Sequence, residues 1–344
     1  MRGARRAMVQ TSLLLAVAPS LVLAGCGRHA RGRLIWQRTL PWNTGVTRGL
    51  LPGGRPVGPV AAAVGAHTIA LADTFAQRVL LWRRDGRRWR GSTAVAVAAQ
   101  TGVVDLALVA GRGPTRGYAV DGDGALWRLP AAGAATVWTR LRPPAGSLQV
   151  ISGLAVAAGG VPVVDVTSVT RHETSRRILN LARPVAQVVG AATIARAVRD
   201  GSPAVPWLLT PPRVRRAVVG GARGIWVLGR GPGGAGAVLA ELSLRGRVLA
   251  RRPFPALPGP IDLLGVDARS AYALTAAGTA RARVVALDRQ GRVASGWDLP
   301  LPPTPSDANV PELPHPVALG ASGELLVLVA EAAGLHLRLF SALP

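Results

Sequence analysis

The chain has no lysine; all 41 of its basic residues are arginine. It has one cysteine, Cys26, so an intrachain disulfide is excluded. Five histidines and that cysteine are a thin supply for a zinc site, which needs three or four converging ligands. Acids are also scarce: 17 Asp and Glu leave a formal charge of +24, with only five Glu and three Asn in 344 residues. Aromatics make up 4% of the chain, and nine of them are Trp. After residue 26 no apolar run approaches the ~20 residues of a membrane-spanning helix. The glycine-rich stretch 229–236 lacks the Gly-Lys-Ser/Thr of a phosphate loop, and no serine elbow occurs. What is present in quantity is apolar: 49% hydrophobic residues exclude disorder. The positive charge favours anionic partners such as lipid head groups or acidic wall polymers. Its arginines are spread along the chain rather than gathered beside aromatics, so nucleic acid is not an expected partner.

The N-terminal segment reads as an export signal over residues 1–25. Arg2, Arg5 and Arg6 form a positive start, Leu13 to Ala24 an apolar stretch, and Ala24-Gly25 a small-residue cleavage site. Leu23-Ala24-Gly25-Cys26 resembles the lipobox of bacterial lipoproteins. The resemblance implies cleavage before Cys26, with lipid (palmitate among it) attached to that sulfur and to the new amino terminus. An ordinary cleaved signal with a chance cysteine is the alternative, and Arg5-Arg6 leaves twin-arginine export open. One acyl chain binds membranes only marginally and a second signal gives stable anchoring. Residues 26–32 then form a short tether whose arginines lie near lipid head groups. The expected location is the extracytoplasmic face of the cell membrane.

Residues 33–344 read as one all-β repeat domain. Ala222-Arg223-Gly224-Ile225-Trp226-Val227-Leu228 matches Ala268-Arg269-Ser270-Ala271-Tyr272-Ala273-Leu274, and Gly246-Arg247-Val248 matches Gly291-Arg292-Val293. Four short strands in ~40–50 residues is the period of a propeller blade. The same order recurs from Thr68 to Trp82, from Val103 to Leu141, from Leu148 to Val166 and from Val317 to Phe340. The last copy lacks one strand, which Arg33 to Leu40 supplies, closing the ring without a free edge. The expected architecture is a β-propeller of about six four-stranded blades, with seven possible. The open region is 167–215, where Arg176 to Ala182 reads as a strand and Ala186 to Val198 as strand or helix.

His67 to Asp73 followed by Gln77 to Trp82 resembles an NHL repeat: an apolar strand ending in Asp, a small polar turn, then Arg-Val and a second apolar strand. For Asp73 and Arg78 the expected role is bracing that turn. Asp121-Gly122-Asp123-Gly124 is read as a hairpin turn, since the rest of a calcium loop is missing.

No catalytic residue declares itself. The one local gathering of metal-ligating types is Asp307, Asn309, Glu312 and His315, in a proline-rich loop that reads first as a stiff connection between the last two blades and only second as a metal site. No resident metal or cofactor is expected. The leading expectation is a monomeric binding or scaffold module anchored through Cys26, its partner an envelope protein or an anionic polymer. The alternative is a metal-assisted hydrolase or lactonase working in the central channel. The gluconolactonase type resembles this chain in architecture and uses Glu and Asn metal ligands there. A propeller hosts either function, so the channel lining decides.

Overall fold

The computed structural model describes residues 32–50, 56–86, 88–110, 115–143, 146–170, 174–181, 186–189, 207–208, 214–230, 237–276, 282–299 and 310–341. They form a six-bladed β-propeller. The inner strands are Ala61–Val64, Val103–Leu108, Leu148–Ala157, Val218–Gly220, Ile261–Val266 and Val317–Leu319, of blades 1 to 6 in turn. Each packs against the inner strand of the next blade, and the sixth against the first.

Strand character follows from burial. Middle strands such as Thr68–Asp73 and Leu325–Glu331 are sandwiched between two neighbouring blades and are apolar on both faces. Alternate residues then serve alternate interfaces: Ile69 and Leu71 enter the cluster shared with blade 6, whereas Ala70 and Ala72 enter the one shared with blade 2. Outer strands such as Leu34–Pro41 and Thr93–Ala96 face solvent and are mostly exposed. The core is six hydrophobic clusters, one at each blade interface. Each fully buried Leu or Ile in them stabilises the fold by about 1.5–3 kcal/mol.

The ring closes as the repeat arithmetic predicts. Leu34–Pro41 runs antiparallel to Gly334–Phe340, with Leu40 opposite Leu335 and Pro41 opposite Gly334, and it completes blade 6. Trp42 seals the junction, its Nε1 donating to the Glu331 carbonyl at 2.8 Å. In the region left open by sequence, Thr174–Asn180 and Ala186–Val189 are the third and fourth strands of blade 3, so the blades number six rather than seven. The remainder of 186–198 lies outside the described residues.

Blade 4 departs from the repeat. Its inner strand pairs with only half of Ile225–Arg230, whose other end pairs with Trp207–Leu208. Just before it, Val214–Arg216 pairs in parallel with Ile261–Val266 of blade 5. Gly220 is obligatory here, because a Cβ would come 2.0 Å from the Val156 carbonyl oxygen of blade 3.

A candidate ligand site in the central channel

The irregular entry to blade 4 carries Arg216 into the channel. Its backbone N–H donates to Asp262 Oδ1 at 3.1 Å, while its Nη2 reaches Asp105 of blade 2 at 2.7 Å. Asp105 Oδ2 also accepts the Leu154 N–H of blade 3 at 2.7 Å. His315, on the loop entering blade 6, places Nδ1 3.5 Å from Asp262 Oδ2. One cluster thus ties five blades. Asp105 and Asp262 are 2% and 4% exposed, and the Arg216 side chain 11%. Burial pushes the Asp262 carboxyl up, but the His315 hydrogen bond and the His315, Arg216 and Arg215 charges outweigh it, holding the group below the usual carboxylate range.

Towards the C-terminal ends of the inner strands the channel widens into an open cavity of about 850 Å³. Its walls are aliphatic: Ala62 to Val64, Leu106 to Val109, Leu154 to Ala157, Val218 to Gly220, Leu264 to Val266, Ala318 and Leu319. The turns at the mouth include Ala110, Ala158, Gly159, Gly221, Ala222, Gly320 and Ala321. Small residues at these turns keep the mouth wide. Arg216 lies at the inner end, and Asp267 and Tyr272 sit to one side. The Tyr272 hydroxyl donates to Asp267 Oδ2 at 3.1 Å, and Asp267 Oδ1 accepts the N–H groups of Arg269 and Ser270, so these polar groups are committed to one another.

Neither Arg216 nor the two acids beside it was singled out in the sequence. A signal existed: Asp105 interrupts Val103-Val104-Asp105-Leu106, and Asp262 interrupts Ile261-Asp262-Leu263-Leu264. An acid inside the apolar run of an inner strand must be paired once buried. Asp73 and Arg78 stand elsewhere, at the turn between the second and third strands of blade 1. Arg78 Nε donates to Asp73 Oδ2 at 2.8 Å and Arg78 Nη2 to the Gly45 carbonyl at 3.2 Å; Asp73 Oδ1 accepts the Thr47 N–H at 2.9 Å. Burial pushes the Asp73 carboxyl up, despite the hydrogen bonds from Thr47 and Arg78. Asp121 caps its own turn, accepting the Ala125 N–H and the Trp127 Nε1–H, and Gly124 takes the left-handed conformation that turn needs.

Of the loop candidates, Asp307 and Asn309 lie outside the described residues, as does Cys26. Glu312 exchanges backbone hydrogen bonds with the 56–58 segment, its N–H donating to the Pro56 carbonyl and its carbonyl accepting from Gly58. Of the two described candidates, His315 is the one that reaches the channel cluster. Among the described residues no group of three or more His, Cys, Asp or Glu is placed to hold a metal ion. No helix among them is long and apolar enough to cross a membrane.

No protein-family model and no curated protein sequence matches the chain. Solved structures similar in fold include a gluconolactonase from Xanthomonas campestris, 16% identical, covering 88% of this chain and 97% of that one with a TM-score of 0.48. The calcium-binding protein regucalcin from Agrobacterium tumefaciens is 12% identical over 91% and 97%, with a TM-score of 0.47. The aldose sugar dehydrogenase of Streptomyces coelicolor, in its PQQ-bound form, is 13% identical over 90% and 98%, with a TM-score of 0.42. These are likenesses in the arrangement of blades, and no residue role is carried over from them.

The described donors of the channel do not fit a divalent cation. Asp105 and Asp262 already have Arg216 between them as countercharge, and backbone N–H groups fill further acceptor positions. A cation placed there would face a buried guanidinium.

Proposed function

We propose that the chain is a lipid-anchored extracytoplasmic binding propeller whose ligand enters the aliphatic cavity of the central channel. The observation that supports it is the division of the channel. Its charged groups are committed to one another, whereas the walls beyond them offer about 850 Å³ of apolar space, within the range of small-molecule sites. Anchoring follows from Leu23-Ala24-Gly25-Cys26.

Native mass spectrometry of the chain purified from its own membranes tests this reading. A non-covalent small molecule at one equivalent, lost on Ala107→Phe, supports it. A stoichiometric divalent ion that survives dialysis overturns it. Cys26→Ser tests the anchor separately: normal processing and acylation of that variant reject it.

A second reading, a hydrolase or lactonase with its site in the same channel, is favoured by the convergence of Asp105, Asp262 and His315. A carboxylate beside an imidazole is the pair of a general base and its orienting group. Turnover of a lactone by the purified chain, abolished in His315→Gln and retained in Arg223→Ala, decides for it.

A further inference from the structure

We propose that the cavity takes the hydrocarbon chain of an anionic amphiphile drawn from the membrane surface to which the protein is tethered. This rests on the reading of Cys26 as the anchor and of the cavity as the ligand site. The first support is the wall chemistry. A polar ligand needs a few convergent polar groups to fix it. Here Arg216 is engaged with Asp105, Asp267 is engaged with Tyr272 and its own turn, and the other lining side chains are aliphatic. Such a cavity rewards burial of an alkyl chain and little else.

The second support is the place from which the tether leaves. Leu34 pairs with Phe340 and Pro41 with Gly334, so the closing strand starts at the edge of blade 6 that also bears the turn at 320–323. That turn is part of the cavity mouth. Gly32 lies beside the Ser341 carbonyl and Phe340 at this edge. Cys26 is six residues earlier, a reach of about 20 Å even when fully extended. The mouth and the start of the closing strand therefore share one edge of the propeller, and an anchor at Cys26 would hold that edge on a short leash.

The third support is charge. At this same edge the turns of blades 4 and 5 expose Arg223, Arg245, Arg247, Arg269, Arg289 and Arg292. Two of these are ion-paired, Arg292 with Asp288 and Arg223 with Glu241, and Asp267 and Asp288 also accept hydrogen bonds from their own turn backbones, so the edge keeps a net positive charge. Leu34, Ile35 and Val293, at the starts of outer strands on this edge, are among the few exposed large apolar residues. Basic and apolar groups around an apolar mouth complement an anionic lipid surface.

The test reconstitutes the mature lipidated chain into vesicles of equal phosphatidylglycerol and phosphatidylcholine. A trace phospholipid with a diazirine near the end of one acyl chain is included, and cross-links are mapped by mass spectrometry. Cross-links to residues 106–109, 154–157 or 264–266, reduced at least fivefold by Ala107→Phe, are expected. Ala63→Phe on blade 1 serves if the first variant does not fold. Cross-links confined to residues 26–41 overturn the proposal while leaving the anchor intact. Channel cross-links of equal yield in pure phosphatidylcholine overturn the anionic part. An intact mass without lipid shows instead that the anchor reading has failed. If native mass spectrometry finds a cavity ligand but vesicles give no channel cross-link, the binding reading stands and this inference falls.

Discussion

At one end of the channel Asp105, Arg216, Asp262 and His315 close on one another across the blades; at the other, alanine, valine, leucine and glycine surround open space. The six inner strands supply Asp105 and Asp262 to the closed end, but Arg216 comes from the irregular entry to blade 4 and His315 from the loop entering blade 6, so the difference lies in these additions. A buried charge is tolerated only when paired, and each charge at the closed end has a partner on a different blade. The cluster therefore registers blades against one another, beyond what apolar contact specifies. The open end carries no such constraint, and its small side chains leave space that hydrophobic packing alone would have filled.

The change that erases both ends is deletion of residues 33–40. It uncovers Leu335, Leu337 and Leu339 and opens the ring between blades 6 and 1. At about 1.5–3 kcal/mol for each large side chain returned to water, the loss is on the order of 5 kcal/mol. Thermal unfolding followed by circular dichroism should show a steeply lowered midpoint or no cooperative transition. An unchanged midpoint would reject closure by this strand.

Next in size is Arg216→Met, which breaks only the closed end. It leaves the buried Asp105 carboxylate without its countercharge at a cost of about 3–5 kcal/mol, while the backbone N–H at residue 216 still donates to Asp262. The pH dependence should also flatten. In the wild type Asp262 is depressed in the folded state. Its contribution is present above the unfolded value of about 3.9 and is lost as pH falls through the folded value. In Arg216→Met, Asp262 loses one of the charges that lower it, so its loss of stability at acid pH should be shallower than in the wild type. Urea unfolding between about pH 2 and 7 measures both slopes. Parallel slopes would mean that the Arg216 charge does not act on Asp262. His315→Gln is the milder form of the same break: its contact to Asp262 is long, at 3.5 Å, and its loss should cost about 1 kcal/mol, with a shallower loss of stability at acid pH.

The sequence made the ring of blades easier to anticipate than the cluster in its channel. Runs such as Ile69-Ala70-Leu71-Ala72, bounded by polar turns, are strands because they bury both faces, and their spacing carries the blade period. The closing strand followed from counting strands in the last repeat. The cluster was hidden because its members come from residues 105, 216, 262 and 315, brought together by ring closure rather than by local spacing. Arg216 also follows a proline-broken stretch, and its parallel pairing with blade 5 has no counterpart in the repeat. The turn pair Asp73 and Arg78 stood out because it is local in sequence, and it holds the 45–47 segment against the turn of blade 1 rather than serving the channel.

The smallest structural effect should come from Ala107→Phe, at the open end. Ala107 is half-buried, bordering the cluster between blades 2 and 3 on one side and the cavity on the other, so a larger side chain can turn into the space of the cavity. Overpacking a filled core costs about 1–3 kcal/mol; here less than about 1 kcal/mol is expected. The unfolding midpoint should scarcely move while the co-purifying ligand is lost. The same substitution at a blade interface, Ala119→Phe, is the control, because Ala119 is fully buried in the cluster between blades 1 and 2. If both variants are equally destabilised, the space beside Ala107 is not open in solution, and the contrast between the two ends of the channel collapses with it.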